Sequence, residues 1–269
     1  RLATVNPSEI GIRFGDEGGG AGVPFVFIHG WACDSSAWQR QVADLKRDHR
    51  CISVDLRGRG ESPAVAPYDV FTAAGDVANV IRSLALPPAI VVGHSLGGIV
   101  ALCLNKAHPE LVAGVVTGDS PLEKEGPRRW PGTVAALREA GSMDPVQAYI
   151  EGFFIESTPP ELAADVRAMM LTCDAEVAAG MLEDGDRVAD ALPELIRLAD
   201  AKPFMALWAE KPLGEPNLLR DLATFVRQEP IAGAGHFFQG ERPEITNALL
   251  RAFEDDVLND PRMKPRLDA

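Results

Sequence analysis

One serine stands where its chemistry could be used. Gly93-His94-Ser95-Leu96-Gly97-Gly98 follows the apolar run Ala89–Val92 and opens an Ala- and Leu-rich helical pattern. Ser95 would therefore sit on a sharp strand-to-helix turn. Such a turn forces strained dihedrals on the serine and crowds its neighbours so closely that Gly93 and Gly97 must lack side chains. It also lifts the hydroxyl above the sheet and places the backbone at a helix N-terminus, where negative charge is stabilised. A G-x-S-x-G string alone arises by chance. The strand before it and the helix after it make this one specific, against the simpler role of a serine that only caps a helix.

A serine hydroxyl is a weak nucleophile at neutral pH and needs a base within hydrogen-bond reach. His236, in the late turn Gly233-Ala234-Gly235-His236, is the natural candidate. His29 opens a loop, His49 and His108 lie in polar contexts, and His94 flanks the serine. A surface histidine in a loop is the competing role for His236.

The elements that must position these groups follow from periodicity. Ile10–Phe14 predicts a strand, followed by a flexible Gly-rich turn over Gly15–Gly22. Val23–Ile28 and Cys51–Val54 predict short buried strands, separated by a helix that Ser36 can cap and whose apolar positions are Trp38, Val42 and Leu45. A helix over Phe71–Leu86, a strand at Ala89–Val92, a helix over Ser95–Ala107 and a strand at Leu111–Thr117 continue the alternation. Strand alternating with helix implies an α/β protein with a mostly parallel, doubly wound sheet.

From Pro121 to about Ala199 the rhythm stops. Helices are expected near Thr133–Ala140, Pro145–Phe154, Pro160–Thr172 and Ala191–Ala199, with no convincing strand. Residues 121–199 thus read as an inserted helical cap, and residues 1–120 and 200–269 as the core domain. The core resumes with a strand at Phe204–Trp208, a helix near Asn217–Arg227, a strand around Glu229–Ala232 and a last amphipathic helix over about Pro243–Val257. Charge and proline after Asp260 predict fraying. Trp130, Phe153, Phe154, Met169 and Met170 are candidates to line an apolar substrate pocket under the cap, although residues at helical spacing are often plain core.

The chain has 269 residues, which suits one core with an insertion. With 46% hydrophobic and 24% charged residues it has ample apolar surface to bury. A formal net charge of −13 argues against nucleic acid, anionic membrane surfaces and strongly anionic substrates as partners. Neither a signal-peptide core near the first residues nor any run of about 18 apolar residues is seen, so a cytoplasmic location is expected. Cys33, Cys51, Cys103 and Cys173 are scattered without metal-ligand spacing and read as reduced, packed thiols. Oligomeric state is left open.

Taken together, His29-Gly30-Trp31 after a strand, Asp55-x-Arg57-Gly58-x-Gly60-x-Ser62 after another, the serine turn and Gly235-His236-Phe237 resemble the α/β-hydrolase superfamily over nearly the whole chain. The resemblance implies that Ser95 is the nucleophile and His236 the base, with the backbone N–H groups of Trp31 and Leu96 as the oxyanion hole. Trp31 can instead serve only as an apolar wall. In this family an acid completes the triad, usually after the strand here read as Phe204–Trp208. There the sequence reads Ala209-Glu210-Lys211-Pro212, with proline where the acid is expected. Some members carry the acid one strand earlier, and Leu111–Thr117 runs into Gly118-Asp119-Ser120-Pro121. Asp119 is therefore the expected acid, with Glu210 and Glu215 in reserve and a simple turn-forming role as the alternative. Asp55 and Arg57 are expected to hold a loop.

The implied activity is hydrolysis of a carboxylic ester or lactone of a moderately apolar small molecule through an acyl-enzyme, with no metal or cofactor. His94, Trp130, Phe153 and Phe154 are the expected substrate contacts. A serine at the turn argues against the haloalkane dehalogenases and epoxide hydrolases of this superfamily, which need a carboxylate there. Cofactor-free ring-opening dioxygenation, C–C bond hydrolysis and a hydrolase-like ligand receptor are the remaining alternatives.

Overall fold

A computed structural model describes residues 11–262. Its centre is a seven-stranded sheet in the order β1-β3-β2-β4-β5-β6-β7. The strands are β1 (Phe14–Gly18), β2 (Phe25–Ile28), β3 (Arg50–Val54), β4 (Ala89–His94), β5 (Val112–Gly118), β6 (Phe204–Trp208) and β7 (Arg227–Pro230). Only β1 is antiparallel to its neighbour. Four of the five inner strands, β2, β4, β5 and β6, are buried at every position. That explains their unbroken Val, Ile, Phe and Leu runs, because helices cover both faces of a parallel sheet.

Helices α1 (Gln39–Leu45), α2 (Val70–Ser83) and α3 (Leu96–Ala107) follow the first strands. Between β5 and β6 come α4 (Trp130–Ala140), α5 (Gln147–Glu151), α6 (Pro160–Leu171), α7 (Ala175–Gly180) and α8 (Gly185–Ala199). After β6 come α9 (Pro216–Leu222) and, beyond β7, α10 (Phe238–Glu241) and α11 (Pro243–Asn259). One core layer packs Trp38, Leu45, Phe253 and Val257 against one sheet face, and the other packs α2, α3 and α8 against the opposite face.

Several boundaries differ from the periodicity. The first strand begins at Phe14, where the expected one ends, and runs through part of the Gly-rich segment; Ile10 lies outside the described residues. The last strand is Arg227–Pro230, two residues before the expected start. Both are edge strands, held by backbone bonds to one neighbour, so neither requires an apolar pattern. The turn before α1 is capped by Asp34, whose carboxylate accepts the N–H of Ser36, and not by Ser36 itself. In α8 the expected helix near Ala191 starts six residues earlier, because Val188, Leu192, Leu195 and Ile196 form the buried stripe among charged residues.

The loop after β3 is structural. Asp76 takes the Arg57 guanidinium through two bonds of 2.7 Å, and the same guanidinium donates to the carbonyls of Val65 and Pro67. The Asp55 carboxylate accepts the N–H groups of Ser35 and Glu61. Gly60, at φ +52°, leaves room for it; a Cβ there would run into that carboxylate.

Candidate active site

The sheet register brings the chemistry together. His94 pairs with Gly118 across β4 and β5, and Gly118 pairs with Leu207 across β5 and β6. Ser95 and Asp119 are each one residue past those pairs, so both emerge at the same C-terminal edge, where ligands of parallel sheets bind. Two backbone bonds stitch the edge: Ser95 N–H to Gly118 carbonyl and Asp119 N–H to Leu207 carbonyl, both 2.7 Å.

Ser95 has φ +52° and ψ −124°, and Asp119 has φ +41°. Non-glycine residues in such regions cost on the order of 1–3 kcal/mol each, and persist only where the surroundings impose them. At Ser95 the imposing groups are visible. A Cβ on Gly93 would run into the Gly97 carbonyl, and one on Gly97 would run into the carbonyls of Ile28 and His29. The β4–α3 turn is thus packed directly against the end of β2.

His236 comes from the loop between β7 and α10 and meets Asp119, its Nδ1 lying 2.6 Å from Oδ2. The other Asp119 oxygen accepts the N–H groups of Ala209 at 3.2 Å and Leu213 at 3.1 Å. The loop with proline at the acid's expected place therefore holds the carboxylate of Asp119 from the neighbouring strand. Glu210 is exposed, and its carboxylate accepts the N–H of Gly233; Glu215 is also exposed. With Nδ1 committed to Asp119, Nε2 is the nitrogen left for Ser95. Ser95 Oγ makes no hydrogen bond among the described residues; such contacts commonly tighten only when substrate binds.

Ser95 and His236 line a cavity of about 370 Å³. Trp31, Trp130, Val146, Phe153, Met170, Leu182, Leu213 and Phe237 supply its apolar wall, and Glu123, Arg129, Thr133 and Tyr149 its polar part. Arg129 donates to the Glu123 carboxylate at 2.6 Å, so the two charges at this end compensate. The backbone N–H groups of Trp31 and Leu96 have no protein acceptor among the described residues, while the Trp31 indole donates to the Ala178 carbonyl.

The expected substrate contacts divide. Trp130 and Phe153 line the cavity. Phe154 is not among its lining residues; its ring lies under the Arg167 guanidinium, 4.7 Å away. Met169 lines a separate small pocket with Phe237 and Gln239. His94 borders the cavity yet is fully buried, and its Nε2 reaches the His236 carbonyl at 2.9 Å. Glu123, Arg129, Thr133 and Tyr149 carried no motif or spacing by which the sequence could single them out. Burial depresses the His94 pKa well below the ordinary imidazole value, and the nearby His236 ring depresses it further.

The α/β hydrolase family model matches residues 25–249, and the chain belongs to that family. Its relatives include AB hydrolase superfamily protein YisY of Bacillus subtilis, 28% identical and covering 88% of this chain and 93% of that one. Among solved structures, the thermophilic esterase of Thermogutta terrifontis is 25% identical, covers 95% and 97% of the two chains, and superposes with a TM-score of 0.82. Est816, an N-acyl homoserine lactone degrading enzyme, is 27% identical over 93% and 99%, with a TM-score of 0.73. The chain is thus similar to esterases and to a lactone-degrading enzyme. Among the described residues, no helix is long and apolar enough to cross a membrane.

Proposed function

We propose that this protein is a serine hydrolase that cleaves a carboxylic ester or lactone of a moderately apolar small molecule. The observation that carries the reading is Ser95 at φ +52° on the wall of a cavity with apolar and polar parts that His236, bonded to Asp119 at 2.6 Å, also lines. The similarity to an esterase and a lactone-degrading enzyme supports the same substrate class.

Ser95 Oγ attacks the carbonyl carbon while His236 Nε2 takes its proton, and Asp119 stabilises the imidazolium and fixes the ring. The developing oxyanion accepts from the N–H groups of Trp31 and Leu96; loss of one such donor typically costs about 3 kcal/mol of transition-state stabilisation. His236 returns the proton to the leaving oxygen, which departs as an alcohol or, for a lactone, remains tethered to the acyl chain. Water activated by His236 then releases the acid. Trp130 and Phe153 contribute the apolar wall against the substrate.

We propose residues 121–199 as the cap, whose last helix, α8, packs both on the turn at 127–129 within the cap and on α3 of the core. Four free and buried cysteines favour a reducing, cytoplasmic setting.

Intact mass after treatment with a fluorophosphonate tests the reading. One adduct on the wild-type chain and none on Ser95→Ala is the expected result. An unmodified wild type, or an adduct that persists in Ser95→Ala, would remove Ser95 as the nucleophile. Hydrolysis of a panel of short-chain esters and lactones then sets the substrate class.

A further inference from the structure

The peptide backbone of His236 is gripped on both sides. Its N–H donates to the Phe153 carbonyl at 3.2 Å, and its carbonyl accepts from His94 Nε2 at 2.9 Å. His94 immediately precedes Ser95, and Phe153 belongs to the turn after α5, so the histidine is tied both to the serine turn and to the segment over the cavity. The Phe153 ring also stacks on the imidazole, with centroids 4.3 Å apart and planes 27° from parallel.

Further bonds join the same turn to the histidine loop. Thr158 Oγ1 accepts the Ile155 N–H at 2.9 Å and donates to Glu241 Oε1 at 3.2 Å. The second Glu241 oxygen accepts the Gly235 N–H at 2.8 Å. Thr158 and Glu241 are both buried.

On the other side, the His94 ring has no exposed surface and is packed among His236, Phe237, Phe238 and Trp38. The group facing its Nε2 is a carbonyl oxygen, so Nε2 carries the proton. Its Nδ1 has no hydrogen-bond partner among the described residues and lies where a Cβ on Gly30 would come within 3.0 Å. His94 therefore stands between the serine turn, the histidine loop and the loop that bears Trp31. Burial keeps the ring neutral, which makes Nε2–H a constant donor while His236 gains and loses its proton.

We propose that His94 and Phe153 are positioning residues that clamp the His236 peptide between the serine turn and the cap, and that His94 acts through His236, not on substrate. The proposal rests on His236 being the general base. It makes alignment of the base depend on the docking of the turn at 153–158.

The test compares His94→Phe, His94→Gln and Phe153→Leu, measuring kcat and KM separately with a chromogenic short-chain ester and following fluorophosphonate labelling and thermal melting in parallel. His94→Phe keeps a ring but removes the donor; it should lower kcat about 100-fold, as misplaced catalytic groups do, with KM within about threefold. His94→Gln restores an N–H at nearly the same place and should recover most of kcat. Phe153→Leu keeps the carbonyl, removes the stacked ring and should lower kcat roughly tenfold.

A raised KM with unchanged kcat in His94→Phe would make His94 a substrate contact, and a Gln variant no better than Phe would make it a space-filling residue; either overturns the clamp. If His94→Phe does not fold, the other two variants decide, since the clamp requires Phe153→Leu to fall in kcat and His94→Gln to hold it. Wild-type protein that fails to react with the fluorophosphonate would bring down the assignment of Ser95 and His236 itself. Reactive wild type with His94→Phe of equal kcat would bring down the clamp alone.

Discussion

The carboxylate of Asp119 divides its two oxygens between the imidazole and the backbone. Oδ2 faces His236 Nδ1 while Oδ1 accepts two N–H groups from the loop after β6. An amide at this position would keep part of the fit but would no longer stabilise an imidazolium, and it would present an N–H to one of these partners. Asp119→Asn should therefore lower kcat by a factor of about 10³–10⁴, the scale of the equivalent change in other triads. Glu210→Gln should leave kcat within about threefold, because among the described residues its exposed carboxylate meets the Gly233 N–H and no part of the candidate site. Steady-state kinetics on an ester substrate checks both, and a reversed pattern would move the acid to Glu210. Ser95 and His236 stand out by residue type and flanking glycines, and Asp119 only through the resemblance to α/β hydrolases. The residues that grip them do not, since a backbone carbonyl such as that of Phe153 carries no residue-specific mark.

At the scale of elements, the β4–α3 turn and the adjacent strand ends form one packed unit. Gly97 touches the end of β2, so its lack of a side chain sets the distance between the turn bearing Ser95 and the loop bearing Trp31. Gly97→Ala must push these backbones apart. The expected cost is about 3 kcal/mol, the upper range for overpacking, or roughly 5–10 °C in melting temperature for a chain of this size. Calorimetry and fluorophosphonate labelling should show the loss of stability and of labelling together; an Ala variant with wild-type melting and labelling would contradict this packing. Legibility followed burial. Strands β2, β4, β5 and β6 were readable because every side chain is inside, giving continuous apolar runs. Edge strands β1 and β7 were misplaced because one neighbour satisfies their backbone whatever their side chains. The short helix α7 left no periodic trace, since six residues make under two turns.

For the whole molecule, burial governs the thiols. Cys173 is pushed up to about 11 and Cys51 and Cys103 to about 12 by desolvation, and Cys33 is raised further by the same cause. At pH 8 the thiolate fraction of even Cys173 is on the order of one in a thousand. Ellman's reagent should thus leave the native chain unlabelled and find four thiols after unfolding; rapid native labelling would show an opening that this packing does not provide. The linkage has a definite sign. Unfolded thiols ionise near about 8.5, below the folded values, so the unfolded chain releases protons first. Stability is full below that pH and falls as pH rises toward the folded values, by about 1.4 kcal/mol per unit for each thiol. Urea unfolding at pH 8, 9 and 10 should show a shallower fall in Cys103→Ala than in wild type. The sequence by itself determined the alternation of strand and helix and the family, and it singled out Ser95 and His236 as candidates, because each rests on local patterns of burial or on glycines beside one residue. Only the tertiary structure decided that Asp119 meets His236, that His94 holds that histidine's backbone and that Phe154 turns away from the cavity. The first two depend on strand register and on loops joined across 117 and 142 residues, and no local spacing encodes such meetings.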